Sequence, residues 1–154
     1  MKALFQGIVT LFNRYSSALG DVWYPTVIHG VQVSLDKAAM VAQYGESTQD
    51  VVSVHIPYKV DGEARMVAGK TWLPPKEWDA QTNDKLVNTL TFTAGADFDF
   101  IMLDDWGGDE DPVNDEDYLD GFYNHMNKKH DYVFSITSVS GPFGVIPHFE
   151  ITGR

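Results

Sequence analysis

Short stretches of alternating apolar and polar residues, each closed by a turn signal, constrain this chain more than any other feature. Val52, Val54 and Ile56 alternate with Ser53 and His55, and Phe134 and Ile136 alternate with Ser135 and Thr137. A two-residue period puts one face of a strand into a core and the other toward water. Segments rich in Val, Ile, Thr and aromatics recur at 7–13, 26–35, 50–58, 66–73, 86–94, 97–103, 131–139 and 144–152. Turn residues separate them, among them Tyr44-Gly45, Asp61-Gly62, Pro74-Pro75, Gly107-Gly108 and Gly141-Pro142. Many short strands punctuated in this way predict a mainly β fold: a small antiparallel barrel or sandwich with long loops.

One amphipathic helix is expected at about 112–129. Asp111 offers an N-cap, Pro112 suits the first helical position, acids fill the first turns and Lys128 and Lys129 the last. Tyr118, Leu119, Phe122, Tyr123 and Met126 form an apolar stripe at three- and four-residue spacing. A weaker helical pattern at Leu35–Tyr44 competes there with a continuing strand.

At 154 residues the chain fits one domain, 1–154, with no linker or repeat dividing it. No apolar run approaches the ~18–20 residues of a membrane span, so no membrane partner is expected. The opening MKALFQGIVTLF is interrupted by Gln6, Gly7 and Thr10 and reads as a first strand rather than a secretory signal. Cysteine is absent, which removes disulfides and thiolate metal sites. The net charge of −11, from 22 acidic and 11 basic residues, opposes attraction to nucleic-acid phosphates or anionic lipid.

Catalytic signatures are missing. There is no Gly-x-Ser-x-Gly elbow and no phosphate loop, since Gly107-Gly108 runs into acids instead of Lys-Ser/Thr. The five histidines, at 29, 55, 125, 130 and 148, show no His-x-x-x-His spacing. They read as solvated, interface or packing residues. Neither an enzyme, a metal site nor a cofactor is expected.

The segment Phe98–Gly121 is dense in Asp and Glu and holds no Lys or Arg. Its middle, with Asp104, Asp105, Asp109, Glu110 and Asp111 around Gly107-Gly108, lacks the ligand order of an EF-hand because Pro112 and Val113 fall where ligands are required. Calcium binding remains an alternative to a solvated acidic loop.

Several landmarks carry a resemblance. Val9-Thr-Leu-Phe-Asn13 opens the chain, Tyr24 to Val31 gives a Tyr-Pro-Thr-Val-(hydrophobic)-His-Gly-Val strand, and Asp50 to Pro57 gives Asp-x-Val-x-Val-x-Ile-Pro. Val133–Val139 and Pro147-His-Phe-Glu-Ile-Thr-Gly153 close it. In this order the chain resembles the small neck proteins of tailed phages and prophages, the head-completion or stopper proteins of the head–tail junction. The resemblance spans most of the chain through structural motifs. It departs from the family at the long segment from Asp97 to Val133 and at Glu63–Asp84.

That resemblance implies a virion protein, made in the host cytoplasm, that assembles as a homo-oligomeric ring of six- or twelve-fold symmetry. Its partners would be the portal or adaptor on one side and the tail terminator or tail tube on the other, with DNA passing without specific binding. Asp104, Asp105, Asp109, Glu110 and Asp111 are then candidates for lining the channel or meeting a partner, and Trp72 and Trp78 for loop anchors between subunits. A tail terminator is the alternative within the virion, though high strand content favours the stopper. A calcium- or carbohydrate-binding β-domain, with Trp23, Trp72, Trp78 and Trp106 as stacking surfaces, is the alternative outside it.

Overall fold

The structure, a computed structural model, describes residues 3–35, 51–95 and 99–154. The ambiguous segment at 35–44 lies almost wholly outside the described residues, as do the Tyr44-Gly45 turn and the first residues of the strand expected at 97–103. The expected β fold is present, and it is a barrel. Among the described residues eleven strands run in chain order: β1 (Ala3–Ser17), β2 (Gly20–Leu35), β3 (Val52–Pro57), β4 (Lys59–Asp61), β5 (Ala64–Val67), β6 (Lys70–Trp72), β7 (Thr89–Leu90), β8 (Phe100–Leu103), β9 (Val113–Asn114), β10 (Val133–Phe143) and β11 (His148–Gly153). Three α-helices accompany them among the described residues: α1 (Pro75–Asp79), α2 (Asn83–Leu86) and α3 (Phe122–Lys129).

Six antiparallel strands close the barrel in the order β1, β8, β10, β11, β3, β2, and β2 returns to β1 through a long hairpin. Closure requires strongly bent strands. The bend in the hairpin falls at Gly7 and Gly30. Register shifts flank Gly7, where a side chain would meet the Val31 carbonyl at 3.2 Å, and Gly30 takes φ 74°, a left-handed value that favours glycine. The period-two pattern sets the inside: Val52, Val54 and Ile56 of β3 and Phe149 and Ile151 of β11 join Val9, Leu11, Ile28, Ile101, Phe134 and Ile136 in one core. The small sheet β4–β7 packs against that core through Val67 and Leu90.

A second apolar surface lies on the opposite face of β1, β8 and β10. Phe12, Phe100, Met102 and Val133 alternate with core residues and are covered by Phe122 and Met126 of α3. Phe12 stacks on Phe100 at 4.6 Å, and Trp23 meets Phe100 edge-on at 5.0 Å. Burial on both faces explains why Phe100-Ile101-Met102-Leu103 reads as a continuous apolar run.

The helix is shorter than the expected 112–129. Residues 113–114 pair with β2 as β9, Asp115–Asp117 form a 3-10 turn, and Gly121 at φ 86° ends any continuous helix before Phe122. The cap comes from Asp115 rather than Asp111. Its Oδ1 accepts hydrogen bonds from Phe122 N at 2.8 Å and from Trp23 Nε1 at 2.9 Å. The strand expected at 86–94 shrinks to Thr89–Leu90 because α2 occupies its start, and Pro75 opens α1 in place of a simple turn.

Trp78 is no subunit anchor. It is 2% exposed and fills a third core with Tyr24 and Leu86, its ring edge-on to Tyr15 at 6.1 Å and to Tyr24 at 6.0 Å. The amphipathic turn α1 aims this ring back at the projecting part of the β1–β2 hairpin. Trp78→Ala is expected to lower unfolding free energy by about 3–5 kcal/mol in urea titrations, as for a buried aromatic; a loss under about 1 kcal/mol would return the ring to the surface.

Asp99, at the entrance to β8, is wholly buried. It accepts hydrogen bonds from Asn13 Nδ2 at 2.8 Å, Arg14 N at 2.9 Å and Thr93 N at 3.0 Å. Burial pushes its carboxyl up to about 7 against the pull of those donors. The folded state then holds a proton that the unfolded chain has already released, so stability from this group is present below pH 3.8 and lost as pH rises through about 7. The stability margin of the native chain over Asp99→Asn is therefore expected to shrink across that window in urea unfolding at stepped pH. A margin that widened would mean that the donors outweigh burial.

Candidate functional site

The acidic loop leaves β8 at Asp104 and folds on itself. Asp104 takes φ 87°, its N donates to Ile8 O at 2.7 Å, and its Oδ1 accepts from Asp105 N at 2.7 Å. Asp105 Oδ1 accepts from Gly107 N at 2.8 Å, and Asp109 Oδ1 from Asp111 N at 3.1 Å. These local bonds are the ordinary use of Asp in turns. Trp106 clamps the loop, with its N donating to Thr10 Oγ1 at 3.1 Å and its ring edge-on to Phe12 at 5.2 Å.

Glu110 separates from the other four acids. Its Oε2 lies 3.1 Å from Lys70 Nζ, and its Oε1 accepts a hydrogen bond from Val27 N at 3.3 Å. Lys70 is 8% exposed and also donates to Pro25 O at 3.1 Å and Thr26 Oγ1 at 2.8 Å. Glu110 thus neutralises a nearly buried ammonium while its side chain stays 41% exposed. Asp104, Asp105, Asp109 and Asp111 stay exposed. Among the described residues they form no group of three ligand atoms close enough to share one cation.

The tryptophans face inward. Trp23 is 4% exposed, Trp106 is partly buried, and Trp72 packs its ring 4.9 Å from Phe149 with the Arg65 guanidinium 5.9 Å above it. Trp72 is therefore partly buried against the barrel core.

The outer wall of β2, β3 and β11 holds a cluster that sequence spacing did not reveal. Glu150 on β11 sits directly across from His55 on β3, and His55 across from Gln32 on β2. His148 precedes Glu150 by two residues and so shares its outward face. Glu150 Oε1 lies 3.1 Å from His148 Nε2 and 3.7 Å from His55 Nε2. The two imidazoles stack at 5.4 Å with 17° between planes, and Phe143 stacks on His148 at 4.9 Å. His148 Nδ1 meets the Ile146 carbonyl at 2.5 Å. That backbone contact and the Glu150 carboxylate raise the His148 pKa above its ordinary value.

The cluster borders an open groove of about 620 Å³ lined by Gly30, Gln32, Pro57, Ile146 and Pro147. Beside it the β10–β11 turn projects as an apolar finger: Phe143, Val145 and Ile146 are 39%, 99% and 73% exposed. The sequence signal was His148-x-Glu150 on one strand face, with His55 central in another alternating strand. Only the pairing of β3 with β11 brings them together.

No curated protein and no solved structure matches the chain. Residues 5–154 do match a family described as a family of unknown function (DUF6751). With that match running over almost the whole length, barrel, acidic loop and histidine wall included, the chain belongs to the DUF6751 family.

Proposed function

We propose that the protein is a structural component of the tailed-phage neck, a stopper-like ring between portal or adaptor and tail. The observation that carries this reading is the exposed finger. Solvent-held Val145 and Ile146 at one turn are a contact surface in search of a partner. The closed barrel removes most strand edges, so copies join through loops instead of edge pairing. A finger on one face that meets a different face of the next copy makes a heterologous contact, the kind that closes rings.

The neck-like landmarks, Tyr24 to Val31 and Pro147 to Gly153, fall on β2 and on β11 with the residue before it. The 53% strand content favours the stopper over the tail terminator. Four exposed aspartates on the acidic loop suit a channel wall. Carboxylates cannot hold phosphates, so DNA slides past them.

Immunogold labelling of purified virions is expected to place the protein at the head–tail junction; label along the tail or none on the particle would sink the proposal. Loss of the gene should give heads that leak DNA beside tails of normal length, whereas overlong tails would identify a terminator. Val145→Asp with Ile146→Asp should leave the melting temperature within a few degrees, since both side chains are solvated, yet abolish incorporation into particles. Replacing Asp104, Asp105, Asp109 and Asp111 by Asn keeps the turn acceptors and is expected to change DNA release without blocking assembly. Failure to dock on the adaptor would make the loop an interface instead.

A further inference from the structure

Glu150 Oε1 faces two imidazole nitrogens at once, one from its own strand and one from the strand beside it. If His148 Nδ1 carries its proton to the Ile146 carbonyl, then Nε2 presents a lone pair to a carboxylate oxygen 3.1 Å away. In that tautomer Nε2 and the carboxylate oxygen aim lone pairs at one shared point on the outer wall. The Nδ1 contact to a backbone carbonyl is the outer bond that metal-binding histidines commonly make, and it fixes the ring with Nε2 free. His55 Nε2 reaches the same oxygen from the neighbouring strand at 3.7 Å.

We propose that His55 Nε2, His148 Nε2 and Glu150 bind a divalent transition metal of the zinc class on the outer wall of the barrel. The three ligand atoms lie within 4.8 Å of one another. Bonds of ~2.0–2.2 Å in a tetrahedral site place ligand atoms about 3.4 Å apart, a contraction that side-chain rotation supplies on a partly exposed surface. Two imidazoles and one carboxylate suit zinc, cobalt or nickel and not calcium or magnesium, which take oxygen ligands. With three ligands from the chain, a fourth position stays open beside the groove, to be filled by water or by a donor from another molecule.

The proposal is independent of the neck reading, because the isolated chain is tested. Titration of the purified protein with zinc sulfate in a calorimeter is expected to show a single saturable site, and cobalt chloride to give the intense visible bands of tetrahedral cobalt. His55→Gln, His148→Gln and Glu150→Gln should each weaken zinc at least ~10-fold. His125→Gln and His130→Gln, which lie together at α3 on the other side of the barrel, should leave affinity unchanged. The three ligand side chains point out of the barrel, and circular dichroism checks that the variants keep their fold. If they do not, competition of zinc with cobalt on the native chain still reads the site. Absence of saturable heat and of cobalt bands, or zinc affinity indifferent to all three substitutions, overturns the proposal. Equal heat from calcium assigns binding to the aspartates and overturns it too.

Discussion

Asp99 and Asn13 form the joint on which the two layers of this fold depend. Asn13 sits in β1 beyond its pairing with β8 and donates both to Asp99 Oδ2 and to the Thr91 carbonyl at 2.7 Å, while its own Oδ1 receives Thr91 N at 3.5 Å. Asp99 adds Arg14 N and Thr93 N. The segment 91–95 has no ladder of its own, so its buried amides need these side chains as partners. Gly95 N and the Asp99 carbonyl then bracket Ile136 of β10, Gly95 N at 3.0 Å from its carbonyl and Ile136 N at 3.2 Å from Asp99 O. One acid and one amide therefore tie the small sheet to three barrel strands. Loss of Asp99 would take an acceptor from Arg14 N, Thr93 N and Asn13 Nδ2, and loss of Asn13 would take the Thr91 amide's acceptor and the donor shared by Thr91 O and Asp99; each buried group left without a partner costs about 1–3 kcal/mol.

Around that joint the barrel uses strands with two buried faces on one side and solvated outer faces on the other. Over β1, β8 and β10 the outer face is apolar and capped by α3. Over β2, β3 and β11 it is polar and carries Gln32, His55, Ser53, Glu150 and His148. The asymmetry is chemical before it is functional. A helix needs an apolar seat, and residues with ligand atoms remain useful only where nothing covers them.

This asymmetry also explains how far the sequence could be read. Alternation in β3 and β11 was legible because one face meets the core and the other meets water, and the barrel class followed. Helix boundaries were less legible. Local signals at Asp111 and Pro112 favoured an early start, but a tertiary contact won: Trp23 Nε1 recruits Asp115, and the same carboxylate then caps Phe122. Glu110 looked like one acid among many until the fold set Lys70 beside it. Trp78 looked exposed because Pro74-Pro75 reads as a loop, whereas Pro75 begins a helical turn that buries the ring. The histidine cluster lay beyond local reasoning because it is written in the register of β3 against β11, a pairing across almost a hundred residues of chain.

A closed barrel gives up strand edges as recognition surfaces, so turns and outer walls must supply recognition. In this chain the two meet. The turn at 144–147 holds out Val145 and Ile146, and the carbonyl of Ile146 fixes the His148 ring. The turn that holds out Val145 and Ile146 therefore also sets the direction of His148 Nε2. Phe143 and His148 face each other in register across that turn and stack, so the linkage runs through ring packing as well as through the backbone carbonyl. The apolar turn and the histidine cluster belong to one hairpin, joined by a contact only two residues long in sequence.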